Sequence, residues 1–408
     1  MSDFNTFKLG DVAFISAGGD KPKIFSDVIT EKCNIPVFAN GETNNGLQGF
    51  TDKAKILEPA VTVSARGTIG FAVLRKEPFF PIVRLLTLLP KKEILDIGFL
   101  FYFLKLYRQN GIGSSQAQLI APEIANRNIL LPELPTQQKI ASVLSALDDK
   151  IELNNCINAE LEAMAKTLYD YWFVQFDFPI VTSSGVEKPY KTSGGKMVYN
   201  ETLKREIPEG WEASNLEKIA KLIRGVSYNK GDIEEKLKSD NIRILRATNI
   251  TGNQLDLENP IIVSKKFVNE EQILNKFDIL MTMSSGSIDH IGKNAFYYFE
   301  EKVSFGAFCA KLKANENFRY FLYLFMQSPF VNATIKNECL GTNINNLNGT
   351  MVNSFKTIIP DKNILEKFNQ LVEPLFDKIG NNLKQNQELS ALRDWLLPML
   401  MNGQVKVG

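Results

Sequence analysis

A single histidine, His290, stands in 408 residues, so general acid–base or zinc chemistry built on imidazole has one candidate group. Four cysteines, Cys33, Cys156, Cys309 and Cys339, are far apart and form no CxxC pair. They read as reduced thiols rather than metal ligands. The runs "DIEEK" and "NEEQ" do not make the carboxylate-plus-lysine set of a metal-dependent nuclease and read as solvated faces. There is no GxxxxGK[ST] phosphate loop and no GxSxG elbow. "GIGSS" runs on into Gln116 and forms no dinucleotide turn, and the Asn/Asp-Pro-Pro-aromatic motif of an amino-methyltransferase does not occur. His290, in "SIDHIG", is expected in a loop or at the surface. The chain is expected to be no enzyme and to hold no metal or cofactor of its own.

Composition bounds the remaining classes. With 44% hydrophobic and 23% charged residues this is an ordinary globular chain. Its formal net charge is only +1, unlike a body that holds nucleic acid by charge alone, although a basic groove can coexist with an acidic back. The start, "MSDFNTFKLGDVAF", shows no signal peptide, and "IGFLFYFLKLY" is too short to span a membrane. The expected location is the cytoplasm.

The elements that position any site become visible once the chain is compared with itself. At one constant offset Pro132 falls on Pro360, Asp149 on Asp377, Lys150 on Lys378 and Ile151 on Ile379. Asn154 then meets Asn382, Asn158 meets Asn386, Leu161 meets Leu389, Gly113 meets Gly341 and Leu119 meets Leu347. Upstream, "KLGDVAFISAGG" resembles "NLEKIAKLIRGV", and "VTVSARGTIG" resembles "LMTMSSGSIDHIG", with the second block the longer. The plan is globular block, long helix, connector, globular block, long helix.

The blocks alternate short β-branched stretches with Gly, Asn and Pro: "NIPVFA", "PAVTVSA", "FAVLR" and "FPIVRLLTLLP", then "NIRILRA", "DILMTMS", "NAFYYF" and "FGAFCAKL". Each also carries an amphipathic helix, at "DIGFLFYFLKLYRQ" and "FRYFLYLFMQSPFVNATI". The fold class is α+β. The connector, rich in Gly, Ser, Pro and Lys, is expected to be an ordered or semi-ordered crossing rather than a core element.

Both long helices carry a seam with spacings that alternate four and three. The first holds Ile140, Leu144, Leu147, Ile151, Asn154, Asn158, Leu161, Ala165, Leu168 and Trp172. The second holds Phe368, Val372, Leu375, Ile379, Asn382, Asn386, Leu389, Arg393, Leu396 and Leu400. Packing on its own domain would satisfy either stripe, but duplication makes each the natural partner of the other, as an antiparallel coiled coil with pseudo-two-fold symmetry. The asparagines, at the same two places in both copies, are expected to meet at mid-length and fix the register. Pro374 is expected to bend the second helix or break it early.

In this order of parts, "LLPELPTQQKIASVLSALDDKIELNN", the linker end "KREIPEGW" and the C-terminal "LLPMLMNGQV" carry a resemblance over essentially the whole chain. It resembles the specificity subunits of type I restriction–modification enzymes. The resemblance implies two DNA target-recognition domains, at 1–134 and 211–360. Long spacer helices follow at 135–173 and 361–401, with a connector at 174–210 and a tail at 402–408. It implies a non-catalytic reader of a bipartite, asymmetric double-stranded DNA target. Two methyltransferase subunits using S-adenosylmethionine would be its partners, joined in some complexes by two restriction subunits using ATP and magnesium.

Direct reading needs polar side chains on loops. The candidates are Lys21, Lys23, Asn40, Arg66, Gln116 and Gln118 in the first block. In the second they are Arg224, Tyr228, Lys230, Arg246, Asn249, Ser284, Ser285, Ser287, Thr342 and Asn343. "VSARG"/"MSSGS" and "GSSQ"/"GTNI" recur at matched places, although their glycines also suit simple turns. A coiled-coil scaffold whose globular blocks bind proteins is the alternative, and the near-neutral charge favours it.

Overall fold

A computed structural model describes residues 4–109, 118–181, 185–341 and 346–407. The chain divides into two compact units, one of residues 1–153 with 385–408 and the other of residues 154–384. Each unit therefore owns a stretch of both long helices, Leu134–Tyr169 and Lys362–Met401.

In the first unit, Ala60–Val63 is buried at all four positions, as a β-branched central strand must be when both of its faces are covered. It lies in a four-stranded antiparallel sheet of order Ala13–Ala17, Leu86–Pro90, Ala60–Val63, Ala72–Arg75. Beside it stand Leu47–Thr51, Ile35–Phe38 and Phe80–Pro81, the last two paired in parallel. An antiparallel ribbon joins Asn5–Lys8 to Asn128–Leu131. The second unit repeats this order. Its four strands are Ala220–Arg224, Cys309–Ala314, Ile279–Thr282 and Asn294–Phe296. Its three are Ile261–Ser264, Asn241–Leu245 and Val303–Phe305, again with one parallel pair. The ribbon joins Glu212–Asn215 to Lys356–Ile359.

Three local expectations change. "FPIVRLLTLLP" is two strands, because Val83 and Arg84 take left-handed φ of 52° and 59° and turn the chain between them. "FRYFLYLFMQSPFVNATI" is two helices, Arg319–Met326 and Pro329–Gly341, since the residue before a proline is disfavoured in helix. The second long helix runs unbroken through Pro374. That proline is exposed, so water can satisfy the carbonyl that loses its donor.

The connector departs furthest from expectation, because it contributes core. Phe176, Phe178 and Ile207 are buried, and Phe178 stacks on Tyr190 at 4.7 Å and on Trp211, just past the connector, at 5.1 Å between ring centroids. Asp177 anchors the segment by accepting from the backbone N–H and the hydroxyl of Thr192, both at 2.7 Å. Rigid aromatic rings supply large buried area in few residues, which a Gly/Ser-rich composition conceals.

Along each long helix the seam positions are in part buried and in part half-buried. Ile140, Leu144, Asn154 and Asn158 are buried on the first helix, with Leu147, Ile151 and Leu161 partly so. On the second, Val372, Ile379 and Asn382 are buried and Leu375, Asn386 and Leu389 partly so. In the first unit Ile140 and Leu144 share a core with Leu397, Leu400 and Met401, together with Val61, Leu88 and Phe99 of the sheets and helix. In the second, Ala165, Tyr169 and Trp172 share one with Leu365, Phe368, Val372 and Phe376. Asn382 Nδ2 donates to Asn158 Oδ1 at 2.8 Å within this second core. No helix among the described residues is long and apolar enough to cross a membrane.

In the first unit Asp148 collects three donors: Arg393 Nη1 at 2.6 Å, the Tyr102 hydroxyl at 2.8 Å and Lys105 Nζ at 3.2 Å. Burial pushes its carboxyl up, but the Arg393 hydrogen bond, the Lys105 charge and the Tyr102 hydroxyl outweigh that and hold it below the usual range. A depressed folded pKa adds stability that is present above the unfolded value and is lost as pH falls through the folded one. Asp148→Asn should therefore flatten the acid limb of melting temperature against pH below about 4, while an unchanged acid limb would deny the pair a role. At the seam, Asn382→Ala should cost about 1–3 kcal/mol in denaturant unfolding, because Asn158 keeps a buried amide without its donor. The double change Asn158→Leu with Asn382→Leu should raise the melting temperature.

Candidate nucleic-acid interface

The sheets of each unit end in a cluster of loops whose backbones are tied by the same hydrogen bonds. In the first unit Ile82 N–H donates to Phe38 O at 2.9 Å, Gly18 N–H to Leu85 O at 2.8 Å and Leu119 N–H to Ala65 O at 2.9 Å. In the second, Gly306 N–H donates to Leu245 O at 2.9 Å, Gly225 N–H to Cys309 O at 3.2 Å and Leu347 N–H to Met283 O at 2.7 Å. Glycine is required at the crossing in both. A Cβ on Gly18 would lie 2.8 Å from the backbone of Ile82, and one on Gly225 would strike the carbonyl of Gly306. These bonds put Arg84 and Phe308 at equivalent places, as they do Arg66 and Ser284, and Gln118 and Asn346.

In the first unit Arg66 is exposed and donates to Gln118 Oε1 through Nη2 at 2.7 Å and Nε at 3.2 Å. The amide thus aims the guanidinium while leaving it further N–H groups. Asn40 belongs to the scaffold. Its Oδ1 accepts from Ala65 N–H at 2.7 Å and its Nδ2 donates to Val83 O at 2.7 Å, bridging two loops. Lys21 holds its ammonium 3.4 Å above the Phe25 ring, and Lys23 is exposed. Gln116 lies outside the described residues.

In the second unit Tyr228, Arg246, Ser284 and Ser285 come together around a concavity of about 490 Å³, with Thr248, Phe308 and Cys309 also in its wall. Arg246 Nη2 donates to Asn259 O at 3.3 Å. Burial pushes the Tyr228 phenol up, against the opposing charge of Arg246. Asn249, like Asn40, is taken up by the scaffold. It is buried, accepts from Arg246 N–H and donates to the carbonyls of Asp256 and Glu258, each at 2.9 Å. Arg224, Lys230 and Ser287 are exposed but do not line the concavity. Thr342 and Asn343 lie outside the described residues.

The wall is suited to hydrogen bonding rather than to covalent chemistry. Burial pushes the Cys309 thiol up to about 12, so it stays protonated at neutral pH and is a poor nucleophile. His290 is exposed, with its Nδ1 3.5 Å from Lys293 Nζ. Arg84 and Phe308, which the loop candidates do not include, are exposed at matched places in the two units. Both sit inside stretches whose apolar content reads as continuous strand, although Pro81 and Gly306 stand just before the turns that expose them.

The Asn40 bridge makes a testable claim. Asn40→Ala should cost about 1–2 kcal/mol and speed hydrogen exchange at the Ala65 amide. Unchanged protection there would mean that the side chain holds neither loop.

Residues 1–163 and 208–391 match the family described as the type I restriction modification DNA specificity domain. The chain is 29% identical over 405 residues to the type I restriction enzyme MjaIX specificity subunit of Methanocaldococcus jannaschii, covering 96% of this chain and 88% of that one. It is 31% identical over 205 residues to the EcoKI specificity subunit of Escherichia coli, covering 49% of this chain and 44% of that one. Among solved structures, the S subunit of a type I restriction–modification system from M. genitalium shares the fold. The TM-score is 0.59 at 18% identity, covering 98% of this chain and 96% of that one.

Proposed function

The chain belongs to the type I restriction modification DNA specificity domain family, and from that membership we propose that it is the DNA-reading, non-catalytic subunit of a type I restriction–modification enzyme. Regions 1–134 and 211–360 each read one half of a bipartite, asymmetric target in double-stranded DNA. The observation that carries this is one scaffold built twice with unlike side chains at its loop ends, such as Arg66 against Ser284. Such a pair of readers has no reason to prefer a palindrome. In the first half Arg66 and Gln118 are the foremost contacts. In the second they are Tyr228, Arg246, Ser284 and Ser285, with exposed lysines and Arg224 serving phosphates.

The long helices, at 135–173 and 361–401, are proposed to pair as an antiparallel coiled coil. Buried seams on both, the shared cores and the Asn158–Asn382 hydrogen bond support it. At 1.5 Å per residue the 36-residue helix Leu134–Tyr169 spans about 54 Å, and its length would set the unread gap between half-sites. The connector at 174–210 and the tail at 402–408 complete the plan. The subunit would scaffold two methyltransferase subunits that use S-adenosylmethionine and, in the restricting complex, restriction subunits that use ATP and magnesium. All of this would take place in the cytoplasm.

Copurified with its methyltransferase partners, the chain should direct adenine methylation to a split motif of two short parts at a fixed gap, mapped across genomic DNA. A complex that assembles yet methylates no defined sequence would overturn the reading, and the protein-binding scaffold would then stand. Insertion of about four residues, one helical turn, in the first long helix away from Asn154 and Asn158 should change the gap and keep both halves. Changed half-sites would rule out the spacer role.

A further inference from the structure

Matched backbone bonds make the two-residue turn Val83-Arg84 of one unit the counterpart of Ala307-Phe308 in the other. In both, a glycine amide donates to the residue after the turn, Leu85 or Cys309, and that residue's own N–H donates back to Ile82 O at 3.0 Å or Gly306 O at 2.8 Å. One scaffold position thus presents an exposed cation in the first unit and an exposed aromatic ring in the second. Phe308 is 69% exposed, and its backbone is fixed. Its carbonyl accepts from the N–H groups of Met283 at 2.8 Å and Ser284 at 3.2 Å, at the end of the central strand. The ring therefore stands on an anchored turn at the edge of the concavity, beside Arg246, Thr248, Ser284 and Ser285.

We propose that Phe308 is a specificity-determining residue that contacts the 5-methyl group of a thymine in the half-site read by the second unit. This rests on the DNA-reading function proposed above. In the major groove a T·A pair offers one apolar group, the thymine methyl, next to hydrogen-bonding edges, and no pair of the other unmodified bases offers such a methyl. An apolar tip ringed by hydroxyls and a guanidinium matches that mixture. A guanidinium tip such as Arg84 matches the paired acceptors of guanine instead, so the two halves should differ at the corresponding base pair. An anchored backbone also means that little chain freedom is lost on contact.

The test uses the complex with methyltransferase subunits and a library of synthetic duplexes with randomised half-sites. Phe308→Ala should lower discrimination for thymine at one base pair of one half-site by about tenfold, leaving the other half-site and the gap unchanged. Replacing that thymine by deoxyuridine, which lacks the methyl, should cost the native complex a similar factor and leave Phe308→Ala indifferent. Phe308→Leu, which keeps an apolar contact, should retain the preference. The proposal is overturned if Phe308→Ala keeps every preference, or if the native complex tolerates deoxyuridine. Should Phe308→Ala methylate nothing, Phe308→Leu decides: thymine preference retained supports the contact, and thymine preference lost removes it. A native complex with no defined motif would instead sink the DNA-reading function itself, so the two failures are distinguishable.

Discussion

Neither long helix can cover its own apolar stripe, and the rest of the chain is arranged around that constraint. A helix of 36 or 40 residues with a seam running its length needs a partner surface equally long, which no single small sheet provides. Each compact unit answers with a stretch of both helices and the sheets of one globular block. Burying a large side chain stabilises by about 1.5–3 kcal/mol, so residues such as Leu144, Val372 and Ile379 dominate any polar contact nearby. The buried Asn158–Asn382 pair runs against that economy. It adds little stability compared with two leucines, but once buried each amide depends on the other, since losing one leaves the other's group without its partner.

A second constraint acts at the loop ends. Gly18 and Gly225 let two backbones approach more closely than any side chain allows, and the bonds that follow hold the turn between the parallel strand and its antiparallel neighbour. The two units close the same junction differently. In the first, the Asn40 side chain bridges Ala65 to Val83. In the second, Met283 and Ser284 bond directly to Phe308 O. The geometry is shared, while the residues that secure it need not be.

Periodicity explains what could be read directly from the sequence. The long helices carry a stripe repeated over many residues, so local exceptions average out, and the central strands at "PAVTVSA" and "DILMTMS" are marked by their β-branched content. Pro374 was such an exception, and the helix continues through it because the proline is exposed to water. Isolated features had no period to support them. The connector looked like a linker because Gly and Ser outnumber Phe176, Phe178 and Tyr190, yet these rings help anchor it to the core. The loop candidates were legible only as residue types. Asn40 and Asn249 have the chemistry of readers, but their hydrogen bonds are spent on the backbone, while Phe308 and Arg84 lie in stretches whose apolar content reads as continuous strand.

The division between spent and free side chains determines how such a reader can change its target. Asn249 is buried and committed to three backbone groups. Replacing it strands those groups and threatens the loop before it alters recognition. Phe308 lies outside the core clusters, and its turn is held by main-chain atoms that any residue supplies. Substitution there alters what is offered to a base while the cost to folding stays small, since exposed positions away from special features usually change stability by within about 0.5 kcal/mol. On the proposed reading, target choice and stability are carried by different atoms of the same loop. That separation lets one scaffold, used twice in one chain, present a guanidinium at a place where its other copy presents a ring.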